Sequence, residues 1–283
     1  MMSGLEQLTV IVPVRNGEHW IERCLQSIAD AQPAEIIVVD GLSTDRTVEF
    51  ARAHGARIIS DEGKGVAMAR VMGAEAARTR FVALIDVDVV LHDGALQSLL
   101  QEFNRDDYIA LQAGLHSVSG KGYWGQALAH HHRSGRSKQW FGVVATIFER
   151  EQLLAYGLDA SFESGEDIDL RWRLQQAGAK LGVSRETIVE HRFDDTWEFA
   201  KGQWLMDGHG LGRMTGVHGA RSLMLLALPL AAAVRGSGLS LLRLQPRWLP
   251  YYACYCIYNY VGMFGEILNR LQRRSISTAP SVA

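Results

Sequence analysis

The sequence predicts an α/β fold, a mostly parallel sheet flanked by helices, with an apolar helical region after it. Three observations predict this. Short apolar runs alternate with helix-spaced segments through the first hundred residues. Each of three such runs ends in polar side chains: Asn16, Asp40, and the pair Asp86 and Asp88. The last third contains two uncharged runs, Ser222 to Val234 and Trp248 to Gly265.

Leu8 to Val14 reads as the first strand, with Pro13 expected to stop pairing at its end. Trp20, Ile21, Cys24, Leu25 and Ile28 follow at helical spacing. Glu35 to Asp40 is a second strand; Ser43-Thr44-Asp45 offers an N-cap and Gly55 a stop for the next helix. Arg57 to Asp61 is a short third strand, and Gly65 to Arg78 an Ala-rich helix. Phe81 to Ile85 is a fourth, buried strand. This β-α-β-α rhythm calls for a parallel sheet. From about Asp107 to Val189 strands and helices mix, with Tyr108 to Val118 and Trp140 to Phe148 reading as strands. His130-His131-His132-Arg133 lies between them, on a helix or loop. Adjacent helical residues point in different directions, so the triple His is read as surface or acceptor-side rather than as a ligand set.

Net charge is −2, from 29 Lys and Arg against 31 Asp and Glu, and no nucleic-acid footprint is visible. Cys24, Cys254 and Cys256 form neither a disulfide framework nor a zinc motif, which fits a reducing, cytoplasmic setting. No charged n-region precedes an apolar h-region, so no signal peptide is expected. The two apolar C-terminal runs are flanked by Arg221, Arg235, Arg243, Arg247, Arg270, Arg273 and Arg274. The first is too short to span comfortably and the second is borderline, against the ~20 residues a spanning helix needs. Basic flanks and interfacial aromatics favour helices lying on the inner face of a membrane, peripheral or monotopic. A buried hairpin or homodimer interface is the other reading.

The chemistry concentrates at the strand ends. Two carboxylates one residue apart repel unless a cation or donor lies between them. They must emerge where open α/β sheets bind ligands, at the carboxyl edge. A divalent metal carrying a phosphorylated substrate is the economical partner; a solvated Asp-x-Asp turn is the alternative. Asp40 faces the same edge and suits a ribose or base. Gly63-Lys64-Gly65 lets a ligand approach the backbone closely, with Lys64 and Arg70 as candidate cations. Dinucleotide-fold and P-loop glycine signatures are absent. Glu163-Ser164-Gly165-Glu166-Asp167-Ile168-Asp169 opens a helix with more acid than capping requires, so one carboxylate suits a general base.

Taken in order, Val12-Pro13-Val14-Arg15-Asn16, Val39-Asp40-Gly41-Leu42-Ser43-Thr44-Asp45, Gly63-Lys64-Gly65, Asp86-Val87-Asp88 and Gly165-Glu166-Asp167-Ile168-Asp169-Leu170 resemble the motif series of family 2 glycosyltransferases with the GT-A fold. The likeness covers about residues 7–215. It implies an inverting transferase that moves one sugar from a nucleotide-diphosphate sugar to an acceptor hydroxyl. By that resemblance Pro13, Arg15 and Asn16 edge the nucleotide pocket and Asp40 contacts base or ribose. Lys64 and Arg70 line the uridine or diphosphate side, and Asp86 favours the sugar and ribose. Asp88 coordinates Mg2+ or Mn2+, with His191 as a further metal ligand. Asp167, beside Glu166, is the base. Arg15 stands where many relatives carry an aromatic. The Gln-x-x-Arg-Trp motif of processive synthases is absent, which favours single-sugar addition.

The expected organisation is a catalytic domain over 1–215, an apolar membrane-associated or oligomerising region over 216–274, and a disordered tail over 275–283. A lipid or lipid-linked acceptor is expected from the apolar region. A sugar nucleotidyltransferase and a non-catalytic nucleotide-sugar-binding protein are the alternatives.

Overall fold

The computed structural model describes residues 4–134, 140–162 and 164–277, with side chains as far as Gln272. Glu163, the Arg273 and Arg274 side chains, and the tail from 278 onward lie outside the described residues. Contacts group the chain into two compact units. The first comprises 1–118, 132–161 and 166–193; the second comprises 119–131, 162–165 and 194–283.

The first unit is built on one eight-stranded sheet. Its strands are β1 (Leu8–Val14), β2 (Glu35–Asp40), β3 (Arg57–Ser60), β4 (Phe81–Ile85), β5 (Val89–Val90), β6 (Ala110–Ser119), β7 (Ala145–Glu149) and β8 (Leu181–Phe193), in the order β3-β2-β1-β4-β7-β6-β8-β5. The first four pair in parallel, as the β-α-β-α rhythm requires. The other half is antiparallel: β7 pairs with β4 and β6, and β5 with β8. The sheet is therefore mixed, and its parallel half carries the strand ends noted above.

Pro13 does not end β1. The strand pairs with β2 through Val14 but with β4 only through Ile11, so the loss of pairing falls on one side. The expected strand from Trp140 begins only at Ala145, because Trp140 to Val144 run as a loop held by side chains.

Helices α1 (Ile21–Asp30), α2 (Thr47–Ala53), α3 (Val66–Ala76), α4 (Ala95–Arg105), α6 (Arg150–Tyr156) and α7 (Glu166–Gln176) flank the sheet. Ser43 and Thr44 do not cap α2, which starts at Thr47; Asp45 instead accepts from Thr47 N and Oγ1 and from Glu18 N. One core gathers β1 and β4 residues against α1 and α4, including Leu8, Val10, Ile21, Leu25, Ile85 and Leu99. The other gathers Ile11, Val39, Leu84, Phe141, Phe148 and Leu170. A Cβ on Gly73 would lie 2.4 Å from Ile11 Cγ2, so α3 sits on the sheet at a distance only glycine allows. That close seat lets Arg70, one turn earlier, reach the strand ends.

The second unit is helical. It contains α8 (Trp197–His218), α9 (Leu228–Leu242), α10 (Leu249–Ser277), most of α5 (Tyr123–Ser134) and two 3-10 turns. The residue expected to bound the catalytic domain, 215, falls inside α8. Gly208, Gly212 and Gly216 recur every four residues on α8. A Cβ on Gly208 would lie 2.0 Å from the Asn259 carbonyl oxygen, and one on Gly212 2.6 Å from that of Met263. The backbones of α8 and α10 thus meet through a stripe of small residues, and Glu266 of α10 pairs with His209 and Arg213 of α8. His130 and His131 face aromatic rings: His130 stacks on Trp248, and His131 lies against Tyr251, Tyr252 and Tyr255. His132 lies against Phe193 and His191, and among the described residues no group of three or more His, Cys, Asp or Glu could hold a metal.

Candidate active site

The site of the first unit is organised by one buried cation. Arg70 on α3 places Nη2 2.8 Å from Asp86 Oδ1 and Nη1 2.5 Å from Glu166 Oε1. Burial alone would lower its pKa, but Asp86, Glu166 and Asp167 outweigh burial and hold it up. The guanidinium therefore stays charged and ties the end of β4 to the first turn of α7. Glu166, read from sequence as part of the catalytic pair, is committed to this ion pair. Asp86 is also bound: its N–H donates to Val144 O at 2.9 Å. Burial raises its carboxyl above the ordinary range, Arg70 pulls the other way, and Asp88 adds to the rise.

Asp88 meets a different partner. Its Oδ2 lies 3.3 Å from His191 Nε2, brought there because Val89 pairs with His191 across β5 and β8. The Arg192 N–H donates to Asp88 O at 2.9 Å, which fixes this register. Burial works against charge on His191, but Asp88 and Asp86 together raise its pKa. Asp88 Oδ1 and His191 Nδ1 are buried with no hydrogen-bond partner among the described residues. Hard oxygen and imidazole donors facing one another, with polar atoms left over, fit a divalent cation. The chain supplies two donors, so substrate oxygens and water must complete any coordination shell.

Asp167 lies beside Glu166 in the first turn of α7, where the helix end favours negative charge. A Cβ on Gly142 would come 3.2 Å from Asp167 Oδ2, so the absence of a side chain there leaves the carboxylate room.

The family model described as Glycosyl transferase family 2 matches residues 9–163, more than half of the chain. The chain belongs to glycosyltransferase family 2.

A pre-mycofactocin glycosyltransferase of Mycobacterium tuberculosis is 32% identical to this family 2 chain over 201 residues, 65% of this chain and 42% of that protein. A 4,4'-diaponeurosporenoate glycosyltransferase of Staphylococcus aureus is 36% identical over 104 residues, 34% of this chain and 28% of that protein. The chain spans less than half the length of these curated relatives. Among solved structures, a mannosyltransferase from Pyrobaculum calidifontis in complex with GDP-Man and Mn2+ superposes with a TM-score of 0.63 at 18% identity, over 91% of this chain and 87% of that one. Glucosyl-3-phosphoglycerate synthase from Mycobacterium tuberculosis, with Mn2+, UDP and phosphoglyceric acid, superposes with a TM-score of 0.56 at 22% identity, over 77% and 83%. These likenesses show the GT-A fold.

Pro13, Arg15, Asn16, Asp40 and Lys64 form a second group, along the ends of β1 to β3. Asn16, in the left-handed region at φ 52, accepts from Thr44 N at 2.8 Å and donates its own N–H to Ser43 Oγ at 2.9 Å. Asp40 accepts from Ser43 N at 3.2 Å. These bonds staple the loops after β1 and β2 together, with Pro13 buried and Arg15 exposed beside them. Lys64 Nζ lies 2.6 Å from Glu62 on an exposed loop, and no described contact joins it to Arg70.

Asp61 is a residue that the sequence reading passed over. It is buried and accepts from Gly63 N at 2.7 Å and Gly65 N at 3.1 Å, which shapes the loop that carries Lys64. Its signal was present in the spacing Asp61-x-Gly63-x-Gly65, a carboxylate ahead of two left-handed glycines. Gln112, also passed over, is buried on β6 and holds the loop at Trp140 and Gly142 through Nε2 and Oε1. A lone Gln in an apolar strand carries no local signal for that role.

Proposed function

We propose that this chain is an inverting glycosyltransferase that moves one sugar from a nucleotide-diphosphate sugar to an acceptor hydroxyl, with a divalent metal. The observation that carries this reading is the division of labour among the carboxylates. Arg70 pairs with both Asp86 and Glu166, while Asp88 faces His191 with buried polar atoms to spare.

In this reading Asp167 accepts the proton of the acceptor hydroxyl. The acceptor oxygen forms a bond to the anomeric carbon on the face opposite the diphosphate. The bond from that carbon to the diphosphate oxygen breaks, and its electron pair leaves with the nucleoside diphosphate. Asp86, oriented by Arg70, meets the donor's sugar and ribose. Asp40, Pro13, Arg15 and Asn16 edge the nucleotide, with Lys64 on the same side. Asp88 and His191 are the residues that would hold Mg2+ or Mn2+, and the metal would supply neutralisation of the departing diphosphate. Structural neighbours solved with Mn2+ support divalent metal use. Holding donor and acceptor in line supplies much of the acceleration.

The helical unit supports membrane association and a lipid or lipid-linked acceptor. The helical stretch Trp197–Leu242 is long and apolar enough to cross a membrane by length and composition. Ile257, Val261, Phe264 and Leu268, at helical spacing on α10, are each more than half exposed. The exposed arginines Arg221, Arg235, Arg243 and Arg247 suit anionic headgroups at a cytoplasmic face. Flotation with vesicles containing anionic lipid tests this part: the protein should float with them, and recovery entirely in the dense fraction at low salt would refute it.

The transferase reading is tested by incubating the protein with UDP- and GDP-sugars and following nucleoside diphosphate release. Release should require a divalent metal, stop with EDTA, and fall by roughly 10²–10⁴-fold in Asp167→Asn while donor binding persists. Full activity in that variant would remove the base assignment. Pyrophosphate as the product would instead establish a nucleotidyltransferase.

A further inference from the structure

α7 carries two arginines with different fates. Arg173 is fully engaged: Nε bonds Asp169 at 2.7 Å, Nη2 bonds Gly157 O at 3.0 Å, and Nη1 bonds Tyr156 O. It fastens α7 to the end of α6. Arg171 has no comparable set. Its guanidinium lies over the Trp140 ring, with Cζ 4.5 Å from the centroid. Its Nη1 is buried with no hydrogen-bond partner among the described residues. Burial pulls its pKa down and Asp167 opposes that pull.

The platform under Arg171 is fixed. Trp140 O accepts from Gln112 Nε2 at 3.1 Å, and Gly142 N donates to Gln112 Oε1 at 2.7 Å. Gln112 is itself buried and paired with Thr146 in the β6–β7 register. The segment from Trp140 to Gly142 therefore presents an indole to Arg171 and a bare backbone to Asp167. Arg171 follows Asp167 by four residues, so both project from one face of α7, one turn apart. A buried charged donor left unmatched is costly, and a guanidinium held flat on an aromatic offers its fork to a carboxylate or phosphate.

We propose that Arg171, stacked on Trp140, is an anion-binding subsite for the acceptor, taking a carboxylate or phosphate on the molecule whose hydroxyl faces Asp167. The inference rests on Asp167 as the base. On that reading Arg171, one turn from Asp167, serves the acceptor, while the donor's diphosphate falls to the metal that Asp88 and His191 would hold. Arg171 thus selects acidic acceptors over neutral ones.

The test compares wild type with Arg171→Gln and Arg171→Lys, each saturated with UDP or GDP, whichever binds. Glycerate, glycerol phosphate and the methyl ester of glycerate are titrated calorimetrically. Wild type should bind one of the two anions about tenfold more tightly than the ester, the scale of one charge-assisted hydrogen bond. Arg171→Gln should lose that preference, Arg171→Lys should keep part of it, and nucleotide affinity should stay unchanged in both. The anion preferred identifies the group taken. An equal preference in Arg171→Gln, or no preference in wild type, overturns the proposal. So does weakened nucleotide binding with acid preference intact, because Arg171 would then serve the donor. Nucleoside diphosphate release from nucleotide sugars is scored separately, so failure of transfer is distinguishable from failure of the subsite.

Discussion

Arg70 Nη1 lies 2.5 Å from Glu166 Oε1, joining α3 to the first turn of α7 across 96 residues of sequence. The same guanidinium holds Asp86, so three charged groups from distant segments form one buried assembly. Removing the cation would leave two carboxylates without a partner. Arg70→Met should cost about 3–5 kcal/mol of stability, the usual penalty for breaking a buried pair. Glu166→Gln, which keeps an acceptor for Arg70, should cost less. Urea unfolding of the three proteins checks the order; equal stability of Arg70→Met and wild type would show that the assembly contributes nothing.

The α8–α10 contact gives a sharper steric prediction. A side chain on Gly208 would meet the Asn259 carbonyl, so α10 must move as a whole. Gly208→Val should destabilise the helical unit by about 1–3 kcal/mol or more, as overpacking does. Gly238, in α9, faces open space. Gly238→Ala should be neutral or stabilising by up to about 1 kcal/mol, because alanine is the better helix former. Thermal melts followed by helix circular dichroism separate the two.

Acid sensitivity should reside partly in His131. Burial, with help from His130 and Arg235, lowers its pKa from 6.5 to about 4. A lowered folded pKa means that the unfolded chain takes up the proton first. The stabilising effect is therefore present above pH ~6.5 and lost as pH falls towards ~4, up to roughly 3 kcal/mol. His131→Phe should flatten the stability profile across that window while leaving it unchanged near pH 8. Parallel profiles for variant and wild type would contradict the assignment.

Much of this was legible in the sequence, for reasons that differ by residue. The parallel half of the sheet follows from local rhythm, and carboxylates at the ends of β2 and β4 can only emerge at one edge. Asp88 and His191 were legible as a pair only through resemblance, since 103 residues separate them and their meeting depends on the β5–β8 register. The insertion of β7 beside β4 was not legible, because antiparallel pairing between distant strands is a tertiary outcome. Glu166 reads in sequence as the partner of Asp167, and its ion pair with Arg70 is not legible there because it depends on how close α3 sits. The small-residue stripe of α8 was written in its four-residue spacing, but spacing alone does not identify the helix that it meets. Arg171 and Arg173 are indistinguishable in sequence and separate only when their partners are known.

In the proposed reaction Asp88 and His191 would hold a divalent cation with the donor's diphosphate. Mn2+ binding followed by electron paramagnetic resonance, with UDP or GDP present, measures this directly. The account predicts one nucleotide-dependent Mn2+ per chain in wild type, with affinity lowered by about 10–100-fold or more in Asp88→Ala and reduced in His191→Ala. Unchanged Mn2+ stoichiometry and affinity in Asp88→Ala would contradict it.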